Sequence, residues 1–253
     1  MGYLAILLMG VVLGTLGGGG GILAVPILVS LFGVPPVTAT GQSLFIVGIA
    51  SAVGAYQAFR SRQYEVRDAV ILAVAGLAGA FLARALVVPA IPAQILGMEK
   101  GDFLLTLLAV VMVASGTRMV WPEGSSASEP VEEPGNRVAA GVAGLAIGLL
   151  SGAIGAGGGF LIVPLLTLLL RMDMKRAVPS SLFVISVQSL GGFAGELVHT
   201  VDWPHLLPIT ATALVGMGIG GWVRPRLSSK QLKPMFAVLV FAVAIYLFVR
   251  VSG

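Results

Sequence analysis

The chain has no cysteine and only two histidines among 253 residues. That scarcity excludes disulfides, thiolate metal sites, thiolate-ligated haem and cysteine nucleophiles. Charge is equally sparse. Lys, Arg, Asp and Glu make up 10% of the residues, against about 25% in an ordinary soluble domain, too few to cover a water-facing surface of this size. Apolar residues fill 57% of the chain and the mean hydropathy is +1.01, so the main solvent is lipid. The 35 glycines are about twice the usual share. Without a Gly-X-Y period they exclude collagen and point to close helix packing and broken helices. The net charge of +4 resides in basic residues at the ends of apolar runs, which is a topology signal and not a nucleic-acid surface.

Crossing hydrocarbon takes about 20 apolar residues. Runs that meet this length predict spans near 38–59, 68–90, 103–121, 177–198, 205–223 and 234–250. Two further apolar stretches, 2–32 and 138–170, are each interrupted by glycine, at Gly17 to Gly21 and at Gly155 to Gly159. The beginning of the chain has no basic n-region and no small-residue cleavage site, so its first apolar run is expected to belong to the fold. One hydrophilic stretch, 122–137, rich in Pro, Ser and Glu, reads as a solvated, cytoplasmic linker. It divides the chain into a first membrane unit, 1–121, and a second, 138–253.

The two units are copies. A shift of 138 residues without a gap places Gly19, Gly20, Gly21, Val25, Pro26 and Leu28 on Gly157, Gly158, Gly159, Val163, Pro164 and Leu166. The same shift pairs Ser43, Leu44 and Phe45 with Ser181, Leu182 and Phe183, then Ser51 with Ser189 and Gly54 with Gly192. Duplicated halves that rock against each other around a shared site are the common construction of secondary transporters.

Charge then sets the orientation. Loop 60–67 carries Arg60, Arg62 and Arg67 while its counterpart 198–205 carries no Lys or Arg; loop 33–40 carries none while its counterpart 171–178 carries Arg171, Lys175 and Arg176. If all eight stretches crossed, as two four-helix repeats, more basic residues would fall outside than inside, against the positive-inside rule. If each glycine-split stretch instead enters and returns on one side, the inside gains Arg171, Lys175, Arg176, Arg224, Arg226, Lys230 and Lys233. The preferred fold class is therefore an all-α integral membrane protein of two inverted repeats. Each repeat is a glycine-broken re-entrant hairpin plus three transmembrane helices, with both termini outside. Half-helices of about 13 residues reach about 20 Å, short of a core of about 30 Å, in agreement with re-entry.

The strongest local motif is three glycines followed by apolar residues and proline, present twice, at Gly19 to Pro26 and at Gly157 to Pro164, each followed by a Ser-Leu pair at the head of the next helix. With these paired segments the sequence resembles the sulfite exporter TauE/SafE family of membrane permeases, over nearly its whole length. The resemblance implies transport of sulfur-containing anions such as sulfite or sulfonates, sulfoacetate among them, or of related organic anions, across a plasma (inner) membrane of prokaryotic type.

The residues point the same way on their own chemistry. Glycines let backbone N–H groups face a ligand, and the half-helices 22–32 and 160–170 would aim their positive ends at that spot. Irregular backbone at membrane depth is tolerated only against protein or a watery cavity. The candidate substrate-binding residues are thus Gly19, Gly20, Gly21, Gly157, Gly158 and Gly159, with tight turns and close crossings as the alternative role of these glycines. Gly10 to Gly14, Gly144 to Gly148 and Gly216 to Gly220 have the spacing of close helix crossings. Gln42, Ser43, Ser180 and Ser181 at the heads of the next helices, and Ser51, Ser186, Gln188 and Ser189 deeper in them, offer hydroxyl and amide donors to an oxyanion without the desolvation cost of a charge. Helix capping and interhelical hydrogen bonding are their structural alternatives.

Arg84 lies inside a predicted span, as counter-charge to an anion or as a side chain snorkelling to the interface. Glu196 with His199 is the candidate for a coupling proton, against the alternative of an interfacial pair. Asp202 and His205 have no metal-ligand partners at useful spacing and read as solvated loop residues. Trp121, Trp203 and Trp222 sit at span ends as interface anchors. The function expected is a secondary transporter moving a small anion by alternating access, with an anion channel using the same glycine breaks as the alternative. Neither a phosphate-binding G-x-x-x-x-G-K-[ST] motif nor a nucleophile with its base occurs within the spans, so no enzyme, cofactor or metal is expected. The partners are the anion and the lipid bilayer, with a homodimer left open.

Overall fold

The computed structural model describes residues 1–60, 66–95, 98–120, 137–154, 159–168, 172, 174–196 and 201–252. A backbone in lipid has to satisfy its own hydrogen bonds, and helices do so. The first glycine-split stretch forms α1 (Gly2–Leu16), a 3-10 turn (Gly17–Leu23) and α2 (Ala24–Leu31). Then come α3 (Pro36–Arg60) and α4 (Val66–Leu82), which runs through a π-helical turn (Ala83–Val87) into the short α5 (Val88–Ala90). Two two-residue strands, β1 (Gln94–Ile95) and β2 (Met98–Glu99), pair antiparallel before α6 (Lys100–Val120). This small ribbon interrupts an otherwise helical fold, in line with the all-α membrane class. The second half forms α7 (Arg137–Ile154), α8 (Gly159–Leu168), α9 (Met174–Glu196), α10 (Trp203–Val223), a 3-10 turn (Arg224–Arg226) and α11 (Ser229–Ser252). Among the described residues, four stretches are long and apolar enough to cross a membrane: 36–60, 69–90, 175–195 and 203–226. Shorter apolar helices accompany them, among them Gly2–Leu16 and Gly141–Ile154.

Local chemistry explains the boundaries. Gly17 ends α1 at φ 69° and Gly33 follows α2 at φ 67°, left-handed conformations open to residues without a Cβ. Pro36 then starts α3 in the first helical turn, where its missing N–H costs nothing. Asp202 accepts from the His205 amide at the start of α10, and its carboxylate lies 2.9 Å from the His205 ring. These two residues are therefore the cap and first turn of a helix, and both are solvated, as the sequence reading expects.

The duplication is visible in three dimensions. Val34 donates its amide to the Leu28 carbonyl at 3.1 Å, and Met172, 138 residues later, donates to Leu166 at 3.0 Å. The Ser43 hydroxyl donates to the Thr40 carbonyl at 2.8 Å, and the Ser181 hydroxyl to Val178 at 2.7 Å. Packing is exchanged between the halves: α1 lies along α10 and α7 along α4, while the counterpart helices α3 and α9 lie against each other. Glycine allows the approach. A methyl group on Gly10 or Gly14 would strike the backbone of Ala213 to Gly221, and one on Gly144, Gly148 or Gly152 would strike Leu72, Gly76 or Ala80. The three Gly-x-x-x-Gly pairs therefore do what their spacing predicted.

The neighbours of the glycines also give helix directions. Gly48 meets Leu190, Gly54 meets Leu182 and Gly192 meets Leu44, so α3 and α9 run antiparallel; α1 with α10 and α4 with α7 run parallel. The ring of Tyr3, at the start of α1, lies 5.4 Å from that of Phe32, just after α2. The first split stretch therefore returns to the end it started from.

Candidate functional site

The two glycine breaks meet inside the protein. A Cβ on Gly18 would fall on the backbone of Gly159, and one on Gly159 on the backbone of Gly18. Gly17 abuts α9, where a Cβ would lie 2.7 Å from the Ser181 hydroxyl and 3.1 Å from Val178. Gly159 abuts Ile185 one turn further along α9. Gly20 folds back on Leu13 of α1, and both Gly20 and Gly21 are buried. Gly19 lies in the same 3-10 turn, while Gly157 and Gly158 fall outside the described residues. Four backbone segments thus converge where only hydrogen side chains fit: the two breaks, α1 and the start of α9.

Dipoles at this meeting point oppose each other. The Ala24 amide donates to the Gly21 carbonyl, so the positive end of the 24–31 half-helix extends back into the glycine run. The same break holds the carbonyl end of α1, which carries the negative half-charge.

The hydroxyls around it divide by availability. Ser43 and Ser181 are fully buried, and each donates its proton to the carbonyl three residues earlier. Neither has that proton to give to an anion in this conformation. Ser180, next to Ser181 and also fully buried, has no hydrogen-bond partner for its hydroxyl. Its counterpart under the 138-residue shift is Gln42, half-buried at the head of α3. Ser51, Ser189 and Ser151 are likewise buried with unpartnered hydroxyls, whereas Ser186 donates to Phe183 at 2.8 Å. Gln188 is fully buried against α4; its amide nitrogen donates to the Leu72 carbonyl at 3.3 Å, and its Oε1 has no partner. An unpartnered buried polar atom costs about 1–3 kcal/mol, so each of these positions calls for a polar partner.

Arg84 is 2% exposed and packs against Gly195 of α9. It does not reach the surface. It also stands apart from the Gly17–Ser181 contact, since fourteen residues of helix separate Gly195 from Ser181, about 21 Å at 1.5 Å per residue. Its backbone lies in the π-helical turn, an irregularity frequent at functional positions. Arg224, read from sequence as a charge of the inner loop, is 8% exposed and forms the first residue of the turn after α10. A sequence signal was present in its position directly after an unbroken apolar run. Glu196 ends α9 with its side chain outside the described residues, and His199 lies outside them altogether. Trp121 does too. Trp222 is exposed and stacks on the Arg226 guanidinium, 3.6 Å from the ring centroid, and Trp203 packs edge-on against Phe45.

Comparison with known proteins follows the same lines. A family model described as Sulfite exporter TauE/SafE matches residues 3–247. A probable membrane transporter protein of Xylella fastidiosa is 33% identical over 254 residues, covering 96% of this chain and 92% of the relative. Probable membrane transporter proteins of Methanocaldococcus jannaschii and Bacillus subtilis are each 26% identical, covering 96% and 94% of this chain and 94% of each relative. No solved structure matches.

Proposed function

The chain belongs to the sulfite exporter TauE/SafE family, whose members are membrane transporters and not enzymes, and from that premise we propose that it is a secondary permease for a small anion. It is a multi-pass helical membrane protein. The substrate class is a sulfur oxyanion or organosulfonate such as sulfite or sulfoacetate. It binds where the two glycine breaks meet, between the two repeats, in the plasma (inner) membrane.

The contact of Gly18 with Gly159 carries this reading. It brings both interruptions, one from each repeat, to one place in the interior, with the unpartnered Ser180 hydroxyl beside Ser181 on the flanking helix. Backbone amides and neutral hydroxyls suit an oxyanion, because they donate without bringing a buried charge that must be desolvated in the empty state.

The repeats are inverted in the membrane. The antiparallel α3 and α9 are counterparts under the 138-residue shift, so the two-fold axis that exchanges them is perpendicular to their length. For helices that span the bilayer, such an axis lies in the membrane plane. The contact of Tyr3 with Phe32 supports re-entry of the first glycine-split stretch. In this arrangement both termini are outside, the 122–137 linker is cytoplasmic, and rocking of one repeat against the other exposes the meeting point to each side in turn. Glu196 and His199 are the candidates for coupling to protons.

Counterflow in proteoliposomes tests the reading. Internal unlabelled sulfite should accelerate uptake of labelled sulfite, saturably, and sulfate or acetate should compete poorly. Flux that is unsaturable and insensitive to internal sulfite indicates a channel. Absence of flux with every sulfur anion refutes the substrate assignment.

A further inference from the structure

Among the described residues two charged side chains are buried, Arg84 and Arg224, and their positions are related in a way the sequence conceals. Along α1 and α10, Gly10 faces Gly216 and Gly14 faces Gly220. Four residues on, one helical turn, lies Arg224, in the turn after α10 that packs against α1. Along α7 and α4, Gly144 faces Leu72, Gly148 faces Gly76 and Gly152 faces Ala80. Four residues on lies Arg84, in the π-helical turn that packs against α7; Ala83 beside it clusters with Ala153, at the end of that helix. The first helix of each repeat thus receives one arginine, from the third long helix of the other repeat. The shift of 138 residues pairs Arg84 with Trp222 and Arg224 with Leu86, so the two cations are counterparts in place and not in alignment.

We propose that Arg84 and Arg224 are the anion-recruiting cations of the two access routes, one for each side of the membrane. The inference rests on the permease reading and extends it to the question of how the sign of the substrate is selected. Each arginine stands at the carbonyl end of a descending half-helix, α7 or α1, whose partial negative charge would repel an anion entering by that break. A guanidinium there offsets the carbonyls and leaves the positive ends of α8 and α2 to face the substrate. The two cations lie toward opposite ends of α9: α4 runs parallel to α9, with Arg84 on Gly195 near its end, while α10 runs parallel to α3 and so antiparallel to α9, with Arg224 after its end. One substrate molecule therefore meets them in succession.

The test uses the absence of cysteine from the chain. Arg84→Cys and Arg224→Cys are each exposed, in sealed vesicles of defined orientation, to a membrane-impermeant thiosulfonate reagent carrying a sulfonate. The expected result is reaction of each from one face, the two faces being opposite. Reaction of both from the same face, or of neither from either face, overturns the proposal. In the transport assay, Arg224→Gln raises the KM for sulfite presented from one face by about tenfold or more, the value of one charge-assisted hydrogen bond, and leaves the other face within about twofold of wild type. Arg84→Gln does the reverse, and Lys at either position restores most of the loss. Equal losses from both faces that Lys does not restore indicate structural support alone and also overturn it. Opposite-face labelling in a protein that moves no sulfur anion refutes the substrate class while leaving the paired placement standing.

Discussion

Replacing Gly18 by Ala puts the meeting of the two breaks to a quantitative test. The added Cβ overlaps the carbonyl, carbonyl carbon and Cα of Gly159. All three are backbone atoms, so no rotamer change relieves the overlap. Overpacking of a well-filled interior costs about 1–3 kcal/mol, and a backbone-to-backbone collision belongs at the upper end. Against this stands the gain of up to about 1 kcal/mol that any Gly→Ala change brings to a helical position, leaving a net loss of about 2 kcal/mol. Gly218, within α10, has nothing within 4 Å of an added Cβ, so Gly218→Ala keeps the gain without the collision. With about 2–4 °C per kcal/mol for a domain of this size, Gly18→Ala should melt about 4–8 °C below wild type. Gly218→Ala should melt at or up to about 4 °C above it. Thermal unfolding in detergent, followed by tryptophan fluorescence, reads both variants under identical conditions. Counterflow on the same preparations should show Gly18→Ala inactive and Gly218→Ala unchanged. A Gly18→Ala protein as stable and active as Gly218→Ala would mean that the breaks are not in contact, and the proposed site would go with it.

Further outcomes follow from the hydroxyls, the amide and the topology. Ser180→Ala, which removes an unpartnered hydroxyl, should weaken sulfite binding in a calorimetric titration by about tenfold, while Ser181→Ala, whose proton is held by Val178, should change it by less than about threefold; equal effects would contradict the division made here. Gln188→Leu should shift stability by less than about 1 kcal/mol, because it removes one hydrogen bond of 3.3 Å together with an unpartnered oxygen, yet should lower substrate affinity. An unchanged affinity assigns Gln188 to packing between α9 and α4. A single cysteine at the exposed Lys175 should react with impermeant reagent only from the cytoplasmic side, and reaction from outside would restore the topology of eight crossing stretches.

Much of this architecture is legible in the residues because lipid removes alternatives. A long apolar run in a bilayer has to be a helix, so the runs predicted near 38–59 and 205–223 appear as α3 and α10 with boundaries moved by one or two residues. The moves have local causes: Pro36 is accepted in a first helical turn, and Asp202 caps α10. The break at Gly17 to Gly21 is also legible, since consecutive glycines favour no conformation and Gly17 adopts a left-handed one. Other features are silent in sequence. The pairing of Gln94–Ile95 with Met98–Glu99 is too short to leave a periodic pattern. Ser180 and Ser181 are identical neighbours in the sequence, and the acceptor at Val178, in reach of Ser181 alone, distinguishes them. Arg224 read as a loop charge because its burial depends on α1 lying along α10.

The sequence by itself determined the solvent, the helical class, the two-part plan and the places where helices break. Composition, run length and a 138-residue self-match are properties of the chain before it folds. Only the tertiary structure decided which helices exchange partners between the repeats, that Gly18 meets Gly159, and that Arg84 and Arg224 are buried at opposite ends of the crossing. In lipid one apolar face is as good as another, so partner choice is made by how closely two backbones can approach once small residues come into register. That register exists only between segments far apart in the chain.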